Sequence, residues 1–208
     1  MEARNREDVV PAGLRLEELS TETPIWERFF MPAPLVLVGT REGDGHDIAP
    51  KHQAMPFGRE NYFGFVCSPA HSTYRNIGVH PEFTASFPRA DRIMQATRAA
   101  GGRLDDGSKP TLSAVPTFPA RAVDGVLVEG CVLYLECLLD RIVDGFGENS
   151  LIVGRVVAAA ASRDWLRRAD ADDADLLHRF GPLVYLHPGR FGIVRESYSF
   201  PFPVDFHR

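Results

Sequence analysis

The sequence predicts a mainly β fold, a β-barrel of antiparallel strands with peripheral helices. Three observations carry that prediction. Short runs rich in β-branched and aromatic residues, Leu35 to Thr40, Asn61 to Cys67 and Glu82 to Phe87, are bounded by proline, glycine and polar turns. From Val126 to Val143 the pattern has period two, with Cys131, Leu133, Leu135, Cys137 and Leu139 on one face and Tyr134, Glu136 and Asp140 on the other. Leu151 to Ala161 is apolar on both faces and ends in four alanines. A strand buried on both sides in an antiparallel protein turns one face into a barrel and lays the other under a helix or a second subunit.

In chain order, residues 1–22 read as an N-terminal arm and 23–208 as a single domain. Thr23-Pro24 with Ile25, Trp26, Phe29 and Phe30 predicts a short helix or helical turn ending before Pro32. Leu35 to Thr40 pairs through the Arg41 to Gly45 turn with His46 to Ala49. A helix is expected from Ser72 to Val79, stopped by Pro81, and a further one within 88–99. Residues 101–119 are rich in Gly, Asp, Ser and Pro, an excursion that reads equally as a lid, a partner contact or a mobile loop. Ala171 to Phe180 is a helix, Arg190 to Glu196 a last strand. The run Tyr198 to Phe206 alternates aromatics with prolines, so it is extended and expected to cover the barrel, a second subunit or a ligand.

Composition narrows the function. Of 208 residues, 44% are hydrophobic and 25% charged, ordinary values for a globular domain. With 23 basic against 28 acidic side chains the formal charge is -5, which argues against nucleic acid as a partner. Neither a secretory signal nor a membrane span is apparent. Three cysteines, Cys67, Cys131 and Cys137, lie in apolar runs, so buried reduced thiols and a cytoplasmic setting are expected. No histidine or cysteine pair has zinc-ligand spacing. The acidic group Asp170, Asp172, Asp173 and Asp175 reads as a helix start rather than a calcium loop, so no metal is expected. No Gly-x-Ser-x-Gly elbow exists, and Cys67 has no adjacent cation to activate it.

The stretch from 46 to 76 stands out. A polar loop with a cation, an apolar strand and a hydroxyl-rich helix entry with an arginine follow one another. Ser72 and Thr73 stand where a helix begins, so backbone N–H groups and the positive end of its dipole face outward, and a phosphate suits that place. His71 and Arg75 add donors, the guanidinium able to grip two phosphate oxygens. An ordinary capped surface helix would show the same spacing.

The succession Pro34 to Thr40, Asp47 to Pro50, Phe63 to Cys67, Ser72 to Ile77 and Phe83 to Phe87, with the later strands Leu133 to Cys137 and Ser150 to Val157, resembles the flavin reductase-like, FMN-binding split-barrel family, which includes flavoredoxin-type proteins. That resemblance, over roughly 30–200, implies a Greek-key antiparallel split barrel with NAD(P)H as reductant, FMN as cofactor, a small-molecule acceptor and a homodimer. By motif position, Ala49, Pro50, Lys51, His52, Gln53 and Ala54 would edge the isoalloxazine and ribityl chain. Cys67 and Ser68 would line the floor, and His71, Ser72, Thr73 and Arg75 would face the phosphate. Gln53, Met55 and Ser86 depart from the family pattern, which bears on the ring environment. Two other readings stay open: an FMN-binding electron carrier without turnover, and a flavin-free split barrel that binds another ligand or a partner.

Overall fold

The computed structural model describes residues 14–168 and 172–202. In chain order its strands are β1 (Met31–Pro34), β2 (Val36–Glu42), β3 (Gly45–Lys51), β4 (Ala54–Phe57), β5 (Tyr62–Cys67), β6 (Glu82–Pro88), β7 (Thr117–Pro119), β8 (Val126–Val128), β9 (Cys131–Phe146), β10 (Asn149–Ala161), β11 (Leu183–His187) and β12 (Arg190–Ile193). The helices are α1 (Ser72–Val79), α2 (Ile93–Ala99) and α3 (Asp173–Phe180). Seven strands form one antiparallel sheet in the order β3-β2-β6-β9-β10-β5-β4. A three-stranded sheet, β1-β11-β12, and the β7-β8 pair complete the fold.

Period two explains how one strand serves two cores. On β2, Val36 and Val38 join Phe63, Phe65 and Phe83, while Leu37, with the preceding Leu35, joins Ile48, Ala96 and Val128 on the opposite face. Helix α2 and the 3-10 turn Pro110–Ala114 lie over the second core. Gly154 lets β10 pass beneath a buried ring: a Cβ there would stand 2.5 Å from Phe83 Cε1.

A row of buried polar side chains anchors the next layer. Thr84 Oγ1 donates to the Val126 carbonyl (2.6 Å), and Ser86 Oγ accepts from the Val128 N–H (3.1 Å). Glu136 Oε2 accepts from the N–H groups of Arg121 (2.9 Å) and Ala122 (2.5 Å). Alternation placed Glu136 on the polar face of β9, yet it is 5% exposed, because that face is roofed by the 120–128 segment. Buried polar groups need such partners.

Several expectations need adjustment. The helix expected at Thr23-Pro24 is a single 3-10 turn, Ile25–Glu27. The 88–99 helix is a 3-10 turn, Ala90–Arg92, followed by α2. The run from Val126 to Val143 is two strands, broken at the Gly130 turn with φ of 76°. Strand β1 contains two prolines and is legible only in hindsight: it is an edge strand, where a missing N–H costs little. The last strand stops at Ile193. Tyr198 (89% exposed) and Phe200 (70%) do not cover the barrel, and residues 203–206 of that run lie outside the described residues, as do Asp170 and Ala171. Asp172 caps α3, accepting from the Ala174 N–H at 2.7 Å. Cys67, Cys131 and Cys137 are buried and unpaired; burial pushes the Cys131 and Cys137 thiols up to about 12. Among the described residues no helix is long and apolar enough to cross a membrane, and no cluster of three metal-ligating side chains occurs.

Candidate functional site

Strand β3 ends the seven-strand order on one side, and β5 lies one strand in from the other. Two contacts join β5 to the end of β3 and the short loop that follows it. The Val66 N–H donates to the Gln53 carbonyl (2.8 Å), and Lys51 Nζ donates to Cys67 Sγ (3.3 Å). Cys67, which has no cation beside it in sequence, thus receives one through the fold. His71 Nδ1 stands 3.9 Å from the same sulfur. The lysine loop and the entry of α1 therefore meet at Cys67.

Lys51 is 8% exposed, and among the described residues its ammonium pairs with no carboxylate. A buried charge with so little compensation is costly. The neighbouring imidazoles respond to it. His71 has its pKa lowered by burial, then by Lys51 and Arg75; His52 has its pKa lowered by burial, then by His187 and Lys51.

At the entry of α1, Ser72 Oγ donates to Asp47 Oδ2 (2.8 Å) and accepts from Arg103 Nη2 (3.1 Å). Arg103 also bridges to Glu42 (2.8 and 2.9 Å) and Asp47 (3.1 Å). Lys109 Nζ donates to Asp47 Oδ1 (3.1 Å) and to the Ile48 carbonyl (2.7 Å). Burial alone would raise the Asp47 pKa, but Lys109, Ser72 and Arg103 together outweigh it, and the carboxyl sits below its usual range. No acidic residue occupies the first turn of α1. Arg75 Nη1 donates to the Ala70 carbonyl (2.5 Å), which folds the guanidinium over the loop leading into the helix.

The structure thus gathers Lys51, Cys67, His71, Ser72 and Arg75. Thr73 is enclosed at 1% exposure, within the body of the protein. Ala49 and Pro50 are half-buried on β3, Gln53 is exposed, and Ala54 is part of the barrel core opposite Phe65. Ser68 lines a different cleft of ≈ 540 Å³, between the 68–70 loop and the β9-β10 hairpin. Of the three departures from the family pattern, Ser86 has a structural duty at β8, and Met55 is exposed on β4.

Sequence reading missed Asp47, Arg103 and Lys109. The available signal was the presence of two cations in a loop rich in Gly, Asp, Ser and Pro. They make the 101–119 excursion part of the site by tying it to β2, β3 and α1.

These donors suit a phosphorylated flavin. Its phosphate calls for cations and N–H groups, which Arg75, Arg103 and the entry of α1 offer. Its ring gains negative charge on reduction and calls for a nearby cation, which Lys51 offers.

Known proteins bear on this arrangement. The family model described as "Flavin reductase like domain" matches residues 27–193. A relative from Methanothermobacter thermautotrophicus, described as an uncharacterized protein, is 27% identical over 141 residues; the match covers 64% of this chain and 66% of that one, just under two thirds of its length. The 2-nitrobenzoate 2-nitroreductase of Pseudomonas fluorescens has a similar structure, with TM-score 0.74 at 16% identity over 92% of this chain and 99% of that one. The FMN-binding protein of Thermus thermophilus, with bound p-hydroxybenzaldehyde, gives TM-score 0.71 at 22% identity over 90% and 100%. Those likenesses identify the fold as a flavin reductase-like split barrel. With the family match extending over most of its length, the chain belongs to the flavin reductase-like family.

Proposed function

We propose that this protein binds FMN along the β3-β5 seam and acts as an FMN-dependent oxidoreductase, with NAD(P)H as reductant and a small molecule as acceptor. The observation that carries this reading is Lys51, a buried ammonium whose hydrogen-bond partner is a sulfur rather than a carboxylate. An anionic ring beside it would supply the missing compensation. Bound FMN would bring the hydride and electron chemistry. The chain's own part is to hold it: Ala49, Pro50, His52 and Gln53 along the loop, Cys67 beneath, and His71, Ser72 and Arg75 at the phosphate, joined by Arg103, whereas Ala54, Ser68 and Thr73 serve the core, a separate cleft and the buried side of α1.

Family membership and the likeness to a flavin-binding protein and a nitroreductase support the redox reading. The exposed aromatics Tyr198, Phe200 and Phe202, together with the exposed Phe191 on β12, support a homodimer that covers them. Three unpaired buried thiols support a reducing, cytoplasmic setting.

The test is reconstitution of purified protein with FMN, followed by anaerobic addition of NADH or NADPH. Two-band flavin absorption with quenched FMN fluorescence, then bleaching by one nicotinamide, is expected. Failure to take up FMN refutes the reading. Uptake without bleaching by either nicotinamide leaves a flavin carrier in its place.

A further inference from the structure

A further cleft, of ≈ 540 Å³, shares no lining residue with the β3-β5 seam. It lies between the ends of β6 and β10, the start of β9 and the start of β11, and its walls include Leu35, Pro88, Val132, Leu133, Trp165 and Leu183. The Ser162 N–H donates to the Val132 carbonyl (2.9 Å), and the Trp165 backbone N–H donates to the Ser162 carbonyl (3.0 Å). Those bonds fold the 3-10 turn Arg163–Trp165 back toward β9 and bring the indole to the cleft. Leu166, next in sequence, also lines it and is 51% exposed. Arg167, the charged residue among the lining, is already paired with Asp173. Such a cleft suits an apolar occupant.

The same chain carries apolar side chains with no cover. Beyond β12, Tyr198 is 89% and Phe200 70% exposed, and the Phe200 and Phe202 ring centroids stand 4.5 Å apart, which makes a two-ring knob. A cavity of about 150 Å³ holds one benzene ring, so the cleft has room for both phenyl rings. The base of this arm is fixed at the cleft itself. The Val194 N–H donates to the carbonyl of Pro182, a lining residue (3.1 Å), and Arg195 Nη1 donates to the His178 carbonyl on α3 (3.1 Å). Prolines keep the arm extended. From Arg195 to Phe200 an extended chain reaches about 17 Å. An arm that starts at the rim and runs straight carries its knob away from its own cleft.

We propose that the arm, residues 198–202, docks in this cleft on a second copy of the chain, with Phe200 and Phe202 against the partner's apolar walls, and that the exchange is reciprocal. Two arms and two clefts related by a two-fold axis leave no open end on which a filament could grow. Aromatic side chains bury about 150–250 Å² each. Three from each copy, with the walls they cover, bring the contact into the range of about 1,200–2,000 Å² that stable protein pairs bury. The inference rests on the homodimer of the proposed function, adds the surface that forms it, and is independent of the cofactor.

The experiment uses the full chain. Phe200→Cys and Leu166→Cys are made singly and co-expressed, and also combined in one chain, then oxidised with diamide; the native thiols are buried. A disulfide joining the two different chains is expected, and the double variant should run as a covalent dimer. A disulfide closed within one chain assigns the cleft to the chain's own arm and overturns the proposal, as does the absence of a cross-link. In Phe200→Ser, whose exposed site leaves the fold and melting temperature unchanged, sedimentation should show a dimer dissociation constant raised about 30-fold or more, the scale of losing an aromatic hot spot. An unchanged constant overturns the exchange. Wild-type protein that sediments as a monomer refutes the homodimer as well, whereas a dimer that survives Phe200→Ser unweakened and does not cross-link refutes this inference alone.

Discussion

Replacing Lys51 by methionine separates what the ammonium does for the fold from what it does for a ligand. The side chain is 8% exposed and its head makes one hydrogen bond, to Cys67 Sγ at 3.3 Å. In the empty protein the substitution removes a desolvated charge and keeps most of the volume, so stability should be unchanged or raised. With FMN bound, a charge-assisted contact is lost, worth about 1.5–3 kcal/mol, or about 10- to 100-fold in affinity for whichever redox form it holds. If the contact is made mainly to the reduced, anionic ring, the midpoint potential falls by about 30–60 mV, because about 30 mV corresponds to 1.4 kcal/mol for a two-electron couple. Denaturant melts of the apo protein and a dye-coupled potential titration of the loaded protein measure the two effects. A loss of more than about 1 kcal/mol in apo stability, with an unmoved potential, would refute the argument, since it would make Lys51 a structural residue.

Glu136→Ala should lower the unfolding free energy by about 3 kcal/mol, because the Arg121 and Ala122 N–H groups lose a charged acceptor; the denaturant midpoint measures it. Gly154→Ala should destabilise by about 1–3 kcal/mol, since its Cβ would meet Phe83 at 2.5 Å and Cys137 at 3.0 Å in the packed core; thermal melts test this. Asp47 has its pKa lowered in the fold despite burial, so it binds fewer protons folded than unfolded. Its stabilising contribution is present above the ordinary carboxylate pKa and is lost as pH falls through the folded value, and Asp47→Asn should flatten that part of the acid-unfolding profile. The same substitution should raise hydrogen exchange in residues 101–119, as Lys109 and Arg103 lose a shared partner.

Much of this fold is legible in sequence where local pattern and tertiary role agree. Helix α1 runs from Ser72 to Val79 as read, because Pro81 and the polar entry punctuate it, and β5 and β6 follow from their β-branched and aromatic runs. Legibility fails where partners distant in sequence decide. Pro32 and Pro34 hide β1, whose place depends on pairing with β11 some 150 positions later. Glu136 looks solvent-facing by alternation, but its burial depends on a segment that folds back over β9. At the site, Lys51 and the α1 entry could be named from order along the chain. Asp47, Arg103 and Lys109 could not, since their roles come from an excursion loop closing onto a strand some 60 positions earlier.

Strand β3 ends its sheet, so its outer backbone groups are a template on which a foreign strand could grow. Lys109 occupies one of those groups, the Ile48 carbonyl, and holds it with an ammonium at 2.7 Å. The excursion therefore occupies part of an edge that fibril-like stacking would need. Shortening it would uncover that edge, and the contrast with the intact loop should be largest at low ionic strength, where the tether is firmest.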